Sequence, residues 1–159
     1  KAIIRNIPTP IFLDYEDNAD DIEFVSFDGG VNVNTPAYAR CAINLVTETS
    51  LTEGVLLTEK TNKAIMAYQI PILITNPGAN KFLEDIGIDM FSDYVPWEQW
   101  DHIEDHKSRM QKIVEFVDTI MQEPDTILEK HRSLHTRLIA NKQRFHSQEF
   151  TDLVIKQLR

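Results

Sequence analysis

Apolar and polar positions follow three different rhythms along this chain. Residues 1–36 are irregular: an apolar "PIFLD", an acidic "DYEDNADDIE" and then "FVSFDGG", interrupted by prolines. That punctuation predicts an extended N-terminal segment with two short strands. From Ala37 the pattern sharpens. "YARCAINLV" (38–46) is a β-favouring run and "IPILIT" (70–75) an unbroken apolar one, closed by "NPG"; both read as buried strands. Between them "TEKTNKAIMAYQ" has helical character, with Ala64, Ile65, Ala67 and Tyr68 as packing positions and Thr58 as N-cap. The three pieces form a βαβ unit. "NKFLEDIG" then reads as a short helix closed by Gly87, and "IDMF" as another short strand.

Beyond Asp101 the period becomes 3.6. Ile103, Met110, Ile113, Val117 and Ile120 share one face of a first helix, and Ile127, His131, Leu134, Leu138 and Phe145 that of a second. Pro124 and the capping-box pattern from Thr126 to Glu129 separate the two. A third short helix carries Phe150, Leu153, Val154 and Leu158. The chain thus divides into an N-terminal segment (1–36), an α/β core (37–100) and helices that pack on it (101–159).

Composition narrows the choice of chemistry. A chain of 159 residues, 42% of them hydrophobic, suffices for one domain with a real core. Its net charge of −9 disfavours general nucleic-acid binding through phosphates. Cys41 is the one cysteine, so no intrachain disulfide forms; its apolar surroundings make it a small core residue, and a reducing, cytoplasmic setting is expected. No apolar run reaches the roughly 20 residues of a membrane span, and no signal-peptide pattern opens the chain. It does not begin with Met, which reads as a processed or truncated piece.

The connection from Thr47 to Thr58 is about twice the usual loop length, a length common in functional loops. In an open α/β sheet, ligands bind beyond the carboxyl ends of the strands. Glu48 stands just past the first strand, Glu59 and Lys60 at the start of the crossover helix, and Asn76 just past the second strand, so all four share one rim. A helix N-terminus beside Lys60 suits a diphosphate, and a nearby carboxylate suits a pair of ribose hydroxyls. A simpler reading also stands: a glutamate in a first helical turn satisfies the macrodipole with no ligand at all, and Lys60 is then a solvated surface residue. Neither a Walker-type loop nor G-x-G-x-x-G is present.

The succession "INLVTETS", "LLTEKTNKAI" and "QIPILITNPG", followed by a helix-rich tail, resembles the donor-binding half of family 10 glycosyltransferases, the α-1,3-fucosyltransferases. It is more similar still to uncharacterised bacterial and viral glycosyltransferase-like proteins with a TEKT-x-K motif and a Pro-containing strand. The resemblance covers roughly residues 38 to 95. It implies a Rossmann-like donor half of a GT-B-type enzyme with a C-terminal helical layer, taking a nucleotide-diphosphate sugar as donor substrate and needing no other cofactor or obligatory metal. It further implies Glu59 on the ribose, Lys60 on the diphosphate and Glu48 on the sugar side, where Glu48 becomes the candidate catalytic group. Thr49, Thr58, Lys63, Asn76 and Arg40 complete the candidate binding set. The chain departs from the family at Thr49, where the pattern has Asn, and at Leu56, where it has Tyr. The family's acceptor domain has no room in 159 residues, so acceptor and catalytic base are expected on a separate domain or chain. The alternative is a noncatalytic protein-interaction domain with an acidic surface.

Other features read more plainly as structure. Asp14, Glu16, Asn18 and Asp20 alternate like Ca²⁺ ligands, but Ala19 and Val25 stand where an EF-hand needs Gly and Glu, so the segment is a solvated loop. His102 and His106, and His131 and His135, are spaced for Zn²⁺ on a helix face, yet no third ligand can be assigned. Trp97 and Trp100 are expected in packing.

Overall fold

The computed structural model describes the backbone at 24–27, 31–34, 40–48, 55 and 57–157, with side chains from Arg40 to Asp152 within those ranges. Among the described residues the chain is mixed α/β: two small sheets followed by a mostly helical half.

β1 (Phe24–Phe27) and β2 (Val31–Asn34) form an antiparallel hairpin, the two short strands expected before residue 36. β3 (Ile43–Thr47) and β4 (Ile70–Ile74) are parallel, with Ile43 opposite Ile70 and Thr47 opposite Ile74. β3 is shorter than the apolar run that announced it. All five residues of β4 are buried, as its unbroken apolar sequence requires. Pro71 is tolerated there because Ile70 donates its amide to Ala42 O at 2.9 Å, and strand alternation then turns the position of the missing proline N–H away from β3.

Helix α1 (Glu59–Met66) crosses between the two strands, capped by the Thr58 side chain, and buries Ala64, Ile65 and Met66. Asn44 Nδ2 donates to Gln69 Oε1 at 2.7 Å, fixing the return into β4. α2 (Ala79–Asp85) follows, and Gly87 behind it adopts φ +88°. A Cβ at Gly87 would stand 2.9 Å from Arg144 Nε, so both conformation and space call for glycine.

The strand expected at Ile88–Phe91 does not form. The Asp89 amide donates to Asn141 Oδ1, the Met90 amide to Glu84 Oε1 and the Phe91 amide to Asp89 Oδ1, while Asn141 Nδ2 donates to Asp89 O. With all three amides satisfied by side chains, the segment needs no neighbouring strand, and Phe91 sits buried at φ +55°.

The helical half starts later than its periodicity indicated. After a 3₁₀ turn at Trp97–Gln99, α3 (His106–Met121) begins where Asp105 caps the Ser108 amide at 2.8 Å, which leaves Ile103 outside the helix. The expected second helix is two: α4 (Pro124–Ser133) and α5 (His135–Phe145), broken at buried Leu134. Ser133 Oγ donates to Lys130 O at 2.7 Å, a local bond that competes with helix continuation. Pro124 does open α4, but Glu123 rather than a Thr126 capping box precedes it, and Thr126 Oγ1 instead donates to Glu123 O. α6 (Gln148–Gln157) ends the described chain; Phe150 packs on Phe145 at 5.0 Å between ring centroids, whereas the positions expected at Leu153, Val154 and Leu158 lie outside the described side chains.

One core joins the halves. Val46, Ile70, Ile72 and Leu73 of the sheet meet Leu83, Ile88 and Phe91, and these meet Trp100, Ile113, Leu134 and Leu138. Cys41 is half-buried at the margin rather than inside this core.

Candidate functional site

At the carboxyl end of β3 the chain turns inward and places Glu48 at 3% exposure. Its amide donates to Ile74 O at 3.0 Å, which continues the β3–β4 pairing one residue past the strands. A buried carboxylate must be neutralised or surrounded by donors, and the first turn of α1 supplies them. Glu48 Oε1 accepts the Thr58 amide at 3.0 Å and the Thr61 hydroxyl at 2.6 Å, and Oε2 accepts the Thr58 hydroxyl at 2.5 Å. Burial pushes the Glu48 pKa up, but the Thr58 hydroxyl and amide, the Thr61 hydroxyl and the charge of Lys60 together outweigh burial. The carboxyl is held below its ordinary value and stays ionised.

This arrangement corrects one expectation. The expected diphosphate cradle needs free amides at the start of α1, yet the Thr58 amide is bound to Glu48 and the Lys60 amide to Thr58 Oγ1 at 3.3 Å. The chain supplies its own anion to this helix end. What α1 presents outward is side chains: Glu59 is exposed, and Lys60 and Lys63 are half-exposed one turn apart.

Across the sheet, Asn76 follows the end of β4 at 2% exposure, on the same side of the molecule as Glu48. Arg40 does not join them. It precedes β3, and a strand rise of about 3.3 Å per residue puts it at the opposite end of the sheet, exposed. Thr49 lies outside the described residues, as do Leu56 and the acidic stretch 14–20.

Beyond Asn76 an open cleft of about 500 Å³ is lined by Pro77, Gly78, Lys81, Trp97, Glu98, Asp101, His102 and Glu104. Here too a carboxylate meets a helix start. Asp101, 5% exposed, accepts the Asn80 amide at 3.1 Å, the Asn80 side chain at 2.8 Å and the Lys81 amide at 3.0 Å, while its carbonyl accepts the Gly78 amide at 2.7 Å. The indoles beside it follow the packing expectation: Trp97 and Trp100 are 7% and 1% exposed, and Trp100 stacks near Phe116 at 5.7 Å.

The histidine pairs do not share helix faces. His102 precedes α3 and His106 opens it; His131 lies in α4 and His135 opens α5. Among the described residues no three His, Cys, Asp or Glu side chains gather as a metal-ligand set. No helix among them is long and apolar enough to cross a membrane.

Thr61 and Asp101 carry contacts that no local pattern announces. Thr61 shares a face with Thr58 three residues earlier, a Thr-x-x-Thr signal that marks a common target once Glu48 is known to stand opposite. Asp101 ends "WEQWD", where its neighbours Trp97 and Trp100 carry the stronger pattern signal. Comparison with protein-family models, with curated proteins and with solved structures finds no match to this chain.

Proposed function

We propose that the chain is the nucleotide-sugar-binding portion of a glycosyltransferase, a Rossmann-like donor half of the GT-B type acting with an acceptor-binding domain or chain in a reducing, cytoplasmic setting. One observation carries the reading: buried, ionised Glu48 ties the end of β3 to the first turn of α1 and so fixes Glu59 and Lys60 on the rim where ligands of parallel α/β sheets bind. The resemblance of "TEKTNK" and its flanking strands to fucosyltransferase-like proteins supplies the ligand class.

Within that reading Lys60 neutralises the diphosphate, with Lys63 one turn behind it, and Glu59 accepts from the ribose. Glu48 changes role. Its two oxygens already receive three hydrogen bonds and its pKa is low, so it is a weak base and acts as a brace for the rim. The proton of the acceptor hydroxyl then goes to a group elsewhere.

Thermal denaturation with a panel of nucleoside diphosphates and nucleotide sugars tests the proposal. A ligand at 100 times its Kd stabilises the native state by about 2.7 kcal/mol, which for a chain of this size raises the melting temperature by roughly 5–10 °C. A melting temperature unmoved across the panel would assign the rim to the alternative, a noncatalytic interaction domain with an acidic surface.

A further inference from the structure

We propose that Thr61 is a positioning residue of the nucleotide site, acting through Glu48 and Thr58 on the backbone of Lys60; the inference rests on the nucleotide-sugar reading above. Thr61 is 1% exposed and cannot touch a ligand on the rim. Its influence is set by the direction of hydrogen bonds. An ionised carboxylate only accepts, so both threonine hydroxyls within reach of Glu48 turn their protons toward it: Thr61 Oγ1 at 2.6 Å from Oε1 and Thr58 Oγ1 at 2.5 Å from Oε2.

With its proton so committed, Thr58 Oγ1 offers only lone pairs to the helix, and it accepts the Lys60 amide at 3.3 Å. The chain of bonds therefore runs one way, from the Lys60 amide to Thr58 and on to Glu48. Thr61 fixes the far end of that chain by holding Oε1 against the second helical position after Glu59. Charge-assisted bonds of this kind are shorter and stronger than neutral ones, and the Thr61 bond ties Glu48 to the helix itself rather than to its cap residue. Thr61→Val keeps the shape and removes the donor. Oε1 then keeps only the Thr58 amide and Oε2 the Thr58 hydroxyl, so Glu48 holds the cap residue but no longer the body of the first turn, and the start of α1 loses part of the registration that aims Lys60.

The test is a double-mutant cycle in the full chain, with calorimetric titration of ADP, GDP and UDP into wild type, T61V, T61S, K60A and T61V/K60A. T61V is expected to weaken diphosphate binding by about fivefold, the scale of one hydrogen bond, and T61S to restore it. In the K60A background T61V should have no further effect, because its influence reaches the ligand only through Lys60. Circular dichroism of each variant confirms that a loss reflects binding rather than unfolding, and T61S serves as the folded comparison if T61V does not fold. Wild-type affinity in T61V, the same fivefold loss with and without Lys60, or a T61S variant as weak as K60A overturns the positioning role while leaving the nucleotide reading intact. A wild-type chain that binds none of the three diphosphates overturns both.

Discussion

The imidazole of His131 lies 2.7 Å from the carbonyl oxygen of Tyr68, across 63 residues of sequence. A carbonyl only accepts, so His131 Nε2 carries the proton and donates it. Tyr68 ends the crossover at φ +57°, a conformation unusual for a residue with a large side chain. Lys142 covers its ring at 4.3 Å and His135 approaches at 6.4 Å, so the helical half clamps the turn from three positions. His131→Leu keeps apolar bulk but strands the carbonyl. It should cost about 1 kcal/mol of stability, the low end for an acceptor left unpaired because this one is only partly buried. Urea unfolding measures it, and an unchanged midpoint would show that water replaces the imidazole at no cost.

Asp101 makes a second long-range attachment, at the start of α2. Its carboxylate receives three hydrogen bonds from Asn80 and Lys81. Asp101→Ala removes all three and should destabilise the chain by about 2–3 kcal/mol, above the usual cost of a lost helix cap because the site is buried. Asp101→Asn keeps one acceptor oxygen and should cost about half as much. Equal losses for the two variants would place the effect in charge rather than in the number of bonds.

The contrast between these contacts and the elements they join explains what the sequence disclosed. β4 was legible because five consecutive apolar residues have no other comfortable place, and α1 because Thr58 stands one residue ahead of a helical pattern. Both signals are local. Glu48 to Thr61, Asp101 to Asn80 and Asn141 to Asp89 span 13, 21 and 52 residues, and no period relates their ends. The apolar "IDMF" shows the consequence: its composition favours a strand, but Asn141, brought from α5, takes the backbone bonds a sheet would have supplied. Of the candidate site, the rim position of Glu48, Glu59, Lys60 and Asn76 followed from βαβ geometry alone. The occupation of the α1 start by Glu48 did not, because spacing places a carboxylate at a rim without saying whether it turns in or out.

The inward turn of Glu48 gives stability a definite dependence on acid. Its folded-state pKa lies below the ordinary 4.5, so its contribution is fully present above that value and is lost as pH falls through the folded-state pKa. Glu84 works in the opposite sense, since burial raises its pKa, but it is common to wild type and variant and cancels in the comparison. Glu48→Gln should be less stable than wild type by about 1–3 kcal/mol near neutral pH, because an amide brings donors to a pocket of donors. The gap should narrow below pH 4.5 as the wild-type carboxyl protonates. Denaturant unfolding of both proteins at several pH values gives the comparison; a gap of constant size down to acid would mean that the carboxylate charge contributes nothing to the brace.

Glu59 decides whether the rim reads a sugar. It is exposed in the first turn of α1, where a negative charge favours the helix macrodipole by a few tenths of a kcal/mol. If that were its whole role, Glu59→Gln would leave ligand affinity untouched. With Glu48 turned inward and fully bonded, Glu59 is the carboxylate that α1 offers outward beside Lys60. Under the proposed nucleotide-sugar function, replacing it by an amide would weaken acceptance from both ribose hydroxyls, so affinity for ribonucleoside diphosphates should fall by about 1–2 kcal/mol, while the 2′-deoxy compounds, which have one hydroxyl fewer to lose, should fall by much less. Calorimetric titration of both series into wild type and Glu59→Gln gives four affinities and a single difference of differences. A difference near zero would leave Glu59 as a helix-start residue and move the ribose contact to another part of the rim.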